Sequence, residues 1–264
     1  MIWRVNREAV VTLGGTAAIL MQFAHPKVAA GVRDHSRFAS DPAGRLLRTL
    51  EITMAWVFGT RGEAMQAARL VNRRHDTVVG ADYSARDPEL LMWVHATLVY
   101  CAIRAYRNFV GPLSVGEADR YYQDTKEIGV LLGIPGASYP DHVDEFNSYL
   151  EAMVQRGEVA VTADAHEMGW TVLQPRFRGV PRMALTPLRS ITAGLLPPLL
   201  REQYGLRWGR RQRATFKLCR LLMPRLVAVS PRVLRFLPAA RQAYQRISRT
   251  GDGRHVRVPG QSSV

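Results

Sequence analysis

Three observations predict an all-α fold, a single multi-helix globular domain. The breaks between apolar segments carry helix-end residues, and no stretch sustains the period-two alternation of a half-buried strand. With 264 residues, 47% of them apolar, the chain also has material for one large core.

Taken in order, the first element is the uncharged run from Ala9 to Pro26. It approaches the length of a membrane span, but Thr12, Gly14, Gly15, Thr16, Gln22 and His25 interrupt it, so it reads as a buried core helix. Arg4, Arg7 and Glu8 precede it without an Ala-x-Ala site, which is not the pattern of a cleaved leader. Asp41-Pro42 supplies an N-cap with proline at the first helical position, and helical apolar spacing follows to Phe58 before Gly59. The next helix is expected from Arg61 to Val79, stopped by Gly80. Asp87-Pro88 repeats the capping device and opens a helix to about Phe109, with Gly111-Pro112 as its stop. Ser114 and Glu117 form a capping box, in which the hydroxyl and carboxylate each satisfy an orphan amide, for a helix reaching Leu132. Further helices are expected at 142–156, 161–173 and 183–195, and then in a region broken at Pro197-Pro198, Pro224, Pro231 and Pro238. Residues 249–264 are rich in Gly and Ser and poor in apolar side chains, the composition of a flexible tail beyond a domain of 1–248.

Charge divides the chain. The formal net charge is +14, yet residues 1–175 balance to −3 while residues 176–264 carry 19 Lys/Arg against 2 Asp/Glu. No helix-turn-helix glycine pattern, aromatic RNA-binding run or zinc spacing accompanies the excess, so a nucleic-acid partner is not expected. An anionic membrane surface touched peripherally through residues 176–248 is the better-matched polyanion. Cys101 and Cys219 stand far apart with no C-x-x-C, which fits reduced thiols in a cytoplasmic protein and supplies no zinc or iron–sulfur site.

Two histidines have apolar helical neighbours. His75 lines up with Ala68, Val71, Val78 and Val79, and His95 with Leu91, Met92, Leu98 and Val99. Each reads either as a hydrogen-bonded core residue or as a ligand. His25 and His35 read as cap or surface groups. Arg45, Arg48 and Thr49 share one helical face by i, i+3 and i+4 spacing. That is either a solvated face or a cradle for a carboxylate with a hydroxyl beside it. No nucleophile elbow, H-E-x-x-H or carboxylate-rich di-iron set is present.

Four ordered blocks carry a resemblance: FAHPKVAAGVRDHSRFASDPAGRLLRTLEI, RLVNRRHDTVVG, YSARDPELLMWVHATLVY and LSVGEADRYYQDTKEIGVLLGIP. Together they resemble the MpaB and latex-clearing-protein family over about residues 8–240. The resemblance implies a helical fold that buries haem b and uses O₂ to oxidise or cleave a hydrophobic isoprenoid- or lipid-like molecule. By the same resemblance His75 is the proximal iron ligand, with His95 a second candidate, a pocket residue or a second axial ligand. Arg45, Arg48 and Thr49 stand at the family's R-x-x-K-T helix, where Arg45 would hold the cofactor and all three would act on its distal side. Arg48 departs from that pattern. A guanidinium stays protonated and cannot ligate iron as a neutral amine, so it fits bound oxygen or a haem propionate instead. Asp34 is the nearest match to the family's distal acid. Two other readings stay open, a bis-histidine haem protein for electron transfer or gas sensing and a haem-free membrane-surface protein.

Overall fold

The computed structural model describes residues 1–36, 42–174 and 185–250, excluding the side chains at 42, 43, 45, 46 and 250. Within these the chain is helical and contains no strand, only two isolated bridges, Glu8 with Phe236 and Val79 with Ser84.

The helix α6 (Pro88–Phe109) is the axis of the fold. Asp87 caps it, accepting from the Glu89 amide at 2.9 Å, and Pro88 occupies the first turn, where its missing N–H costs nothing. Thirteen of its 22 residues are buried, including Trp93, His95, Cys101 and Phe109. Against it lies α2 (Gly14–Phe23), preceded by a 3₁₀ turn at Ala9–Leu13. Gly14 permits the approach, because a Cβ there would stand 2.9 Å from the Cys101 carbonyl oxygen. The Trp93 indole donates to the Met21 carbonyl at 3.1 Å, and Tyr204 donates to the Leu20 carbonyl at 2.7 Å. Both polar ends are therefore satisfied inside the core.

The uncharged N-terminal run thus folds as the 3₁₀ turn and α2. α2 is buried, and α3 (Pro26–His35) leaves it at a bend of 101°. No single described helix is long and apolar enough to cross a membrane.

Around this centre pack α1 (Ile2–Asn6), α7 (Val115–Leu131), α8 (Val143–Gln155), α9 (Ala163–Leu173), α10 (Thr186–Leu195) and α11 (Pro198–Gln203). α4 (Pro42–Phe58) and α5 (Arg61–His75) form a hairpin whose closed end, Val57 and Phe58, is seated on Ala240 and Ala243 of α14 (Pro238–Thr250). α12 (Arg210–Val229) packs against α10 and α6, and α13 (Arg232–Arg235) against the 3₁₀ turn. The N-terminus and the C-terminal helices meet directly. Glu8 is fully buried and accepts from Arg235 at 2.8 and 2.9 Å, while the Leu237 amide donates to the Arg7 carbonyl at 2.9 Å.

Two sequence expectations change. α5 ends at His75, not Val79, because Val78 and Val79 leave the helix for a turn in which Ala85 N–H donates to Val78 and Gly80 N–H to Tyr83. Pro224 does not break α12. The helix runs through it, held by Phe216, Cys219 and Met223 against the core, and forgoes one backbone bond. The expected N-cap Asp41 and the tail at 251–264 lie outside the described residues.

Candidate functional site at the end of α7

The α4–α5 hairpin turns at Gly59 and Thr60. Thr60 accepts from the Glu63 amide at 3.3 Å and its own amide donates to the Glu63 carboxylate at 2.6 Å, a complete capping box. With so short a link, residues equidistant from the turn lie level on the two helices. Arg48 and Thr49 therefore stand beside the stretch of α5 that ends in Asn72 and His75. Arg48 and Thr49 are exposed, and the Arg45 side chain lies outside the described residues. His75, on the last residue of α5, is half-buried.

The C-terminal end of α7 gathers the other parts. Asn72, one turn before His75, donates to the Leu131 carbonyl at 3.1 Å. Gly133, at φ +102°, reverses the chain, and Tyr139 then folds back over Gly129, where any Cβ would collide with the phenol hydroxyl. His95 comes from α6 and stands edge-on to Tyr139, with ring centroids 5.7 Å apart at 84°. The two histidine-bearing helices thus converge on one end of α7.

Three buried polar atoms here lack a hydrogen-bond partner: Asn72 Oδ1, His95 Nε2 and the Tyr139 hydroxyl. Buried polar atoms are nearly always paired, so the neighbouring His95 and Tyr139 atoms mark a place where a further group can bond. Burial pushes the His95 pKa down to about 4, which leaves a neutral imidazole at physiological pH. Burial also pushes the Tyr139 phenol above its ordinary range, so it stays protonated. A neutral imidazole and an un-ionised phenol face each other in an apolar setting, and Lys126 lies 5.8 Å from the far ring.

The remaining candidates separate from this place. Asp34 lies on α3, where Arg33 donates to it at 2.8 Å and Tyr83 at 2.8 Å, holding its carboxyl below the usual range. An exposed, ion-paired carboxylate of that kind is a poor distal base. His35 contacts the Val79 carbonyl oxygen at 3.1 Å on the surface. His25 starts α3 with its ring 6.5 Å from Trp93, and burial lowers its pKa. Cys101 is buried, with its thiol pushed up to about 12, and is unreactive. Among the described residues no three His, Cys, Asp or Glu side chains cluster to hold a bare metal ion.

Sequence reasoning missed Asn72 and Tyr139. Tyr139 lies in no motif and comes to His95 only by folding back over Gly129, while Asn72 stands one turn before His75 in a block read for its histidine. It also missed the arginines around Glu8, because Arg7 and Arg235 are separated by most of the chain.

The uncharacterized proteins Mb2261 of Mycobacterium bovis and Rv2237 of Mycobacterium tuberculosis are each 26% identical over 220 residues, covering 76% of this chain and 82% of theirs. No solved structure matches the chain. The family described as ER-bound oxygenase mpaB/B'/rubber oxygenase, catalytic domain, matches residues 3–228, an interval that contains both histidines, the α4 arginines and the whole of α7, and the chain belongs to that family.

Proposed function

We propose that the protein is a haem b-dependent oxygenase acting with O₂ on a hydrophobic isoprenoid- or lipid-like small molecule. Family membership supports the oxygenase class. The observation that carries the cofactor is His95, a fully buried neutral imidazole whose Nε2 has no partner in the protein. Such a nitrogen is costly to bury unless it binds something.

The residues present fit a haem. An iron held by one or two imidazoles needs its other donors from a porphyrin, and His75 and His95 are the two candidate imidazoles. His75 would hold the iron, with His95 the second candidate for that role. Bound there, haem would supply the iron centre that activates O₂.

The chain's own residues would do the rest. Burial keeps His95 unprotonated, so its lone pair or its N–H is available across the physiological range. Tyr139 and Asn72 offer a hydroxyl and an amide oxygen in a water-poor setting, the first to donate and the second to accept. Arg48, and Arg45 one turn earlier, place permanent positive charge on α4, suited to a carboxylate such as a propionate. Thr49 would add a hydroxyl able to donate to O₂. Leu91, Ile134 and the Tyr139 ring are buried apolar surface that excludes water and favours an apolar substrate.

The bis-histidine reading stands beside the oxygenase, and one experiment separates the two. Protein expressed with haem precursor is examined by visible absorption as isolated, after dithionite and after carbon monoxide. A Soret band that shifts on reduction and binds carbon monoxide supports the oxygenase. A low-spin spectrum unmoved by carbon monoxide supports electron transfer or sensing. Folded protein without a Soret band refutes both. His75→Ala is expected to abolish haem binding, and an unchanged spectrum would pass the axial role to His95.

A further inference from the structure

The sequence of α12–α14, residues 210–250, contains eleven Lys/Arg and no Asp/Glu. α12 buries none of its twenty residues fully. Its inward side rests Phe216, Cys219 and Met223 on the core, while Leu218, Leu222, Leu226 and Val229, at i, i+4, i+8 and i+11, line the exposed flank beside it. α13 continues that surface with Val233 and Leu234, and exposure reaches 80% at Val229 and 73% at Leu234. An apolar stripe of this length in water, bordered by arginines, is the pattern of a helix that lies in a lipid interface.

Where the stripe ends, a pocket of about 610 Å³ opens between α13 and α14. Arg7, Arg232, Arg235 and Arg241 line it, and no acidic residue does. Behind it the buried Glu8 fixes Arg235 through two hydrogen bonds and meets Arg7 Nε at 3.3 Å. The guanidinium groups of Arg7 and Arg235 lie 4.6 and 5.2 Å from the Phe236 ring. Four guanidinium groups against one carboxylate leave a net charge of +3. Arg241 Nε is buried and has no partner. A fixed, positively charged recess with a spare donor is matched to a phosphate.

We propose that the α12–α13 face docks on an anionic phospholipid bilayer and that the arginine pocket receives a headgroup phosphate. The leucines enter the acyl boundary, and the arginines meet the phosphates beside it. The inference does not depend on haem, and its test reads binding alone.

The test is sedimentation of the full chain with vesicles of phosphatidylcholine, or of phosphatidylcholine mixed with phosphatidylglycerol. Binding is expected to the anionic vesicles only, and to fall as salt rises. Leu226→Asp and Leu234→Asp, both on exposed positions, should each weaken it about tenfold or more while leaving the helical circular dichroism unchanged. Arg232→Gln should weaken it about fivefold, and excess inorganic phosphate should compete less with Arg241→Gln than with the unaltered chain. Vesicle binding indifferent to the leucine variants overturns the docking face. Binding sensitive to the leucines but not to Arg232 or Arg241 overturns the headgroup pocket. Tight duplex DNA binding that survives Leu226→Asp would identify a polyanion surface instead, and a dimer dissolved by that variant would identify a second copy as the occupant.

Discussion

α6 and α12 are similar in length, 22 and 20 residues, and both are rich in large apolar side chains. One buries thirteen residues and the other none. In α6 the charges are confined to the ends, at Glu89 and at Arg104 and Arg107, so the middle turns are apolar all round and the helix can be covered on every side. In α12 six Lys/Arg are spread along the length, and any arrangement that buried the leucine side would desolvate some of them. Apolar content alone does not put a helix in the core. The position of the charges decides which apolar surface the fold uses and which it leaves for a partner.

Substitutions can sharpen or break that comparison. Trp93→Ala on α6 should have the largest effect, about 4 kcal/mol of lost stability in urea unfolding, because it empties a fully buried site and orphans the Met21 carbonyl. A loss below about 1 kcal/mol would show that α6 is not the axis of the core. Acid should act on the same helix nearly as strongly. The folded-state pKa of His95 is depressed by burial to about 4. The unfolded chain takes up a proton below about 6.5 and the folded one does not until about 4, so stability falls as pH drops through that window. In haem-free protein the total is on the order of 3 kcal/mol, and His95→Leu should flatten the dependence of Tm on pH. An equally steep profile in His95→Leu would assign the acid sensitivity elsewhere, with His25, lowered for the same reason, next in line.

Glu8→Ala should cost about 3 kcal/mol, since it removes the buried partner of Arg235. That loss is expected without any change in visible spectrum, because the pair joins the chain's ends away from α7. Leu226→Ala should have the smallest effect, within about 0.5 kcal/mol, as for an exposed position. A loss above about 1.5 kcal/mol would mean that the α12 stripe is covered in solution, which would bring α12 closer to α6 than their burial implies.

The helix starts were legible because their chemistry is local. Asp87-Pro88 and the Ser114–Glu117 box act within one turn, and both form as read, Ser114 accepting from the Glu117 amide at 3.2 Å. The end of α5 was not. Val78 and Val79 keep a helical spacing in the sequence, but the backbone there is claimed by Ala85 and Tyr83 from beyond the turn. Gly80 reads as a helix stop, yet in the fold it is the place where the Tyr83 ring lies, with no room for a Cβ. His95 was legible as inward-facing from its neighbours. Its isolation was not, because that depends on Tyr139, a loop residue that reaches it only after Gly129 has made room on a third helix. The pairing of Glu8 with Arg235 is less visible still, with 227 residues between them.

That separation sets an order of events during synthesis. At a translation rate of about 5–20 residues per second, Glu8 precedes Arg235 by some tens of seconds on the ribosome. Throughout that interval the carboxylate has only the neighbouring Arg7 as a cation, and the latch between Glu8 and Arg235 is open. The closing step of folding therefore waits for the last helices. A nascent chain cut short before residue 235 would lack that latch and keep Glu8 in water.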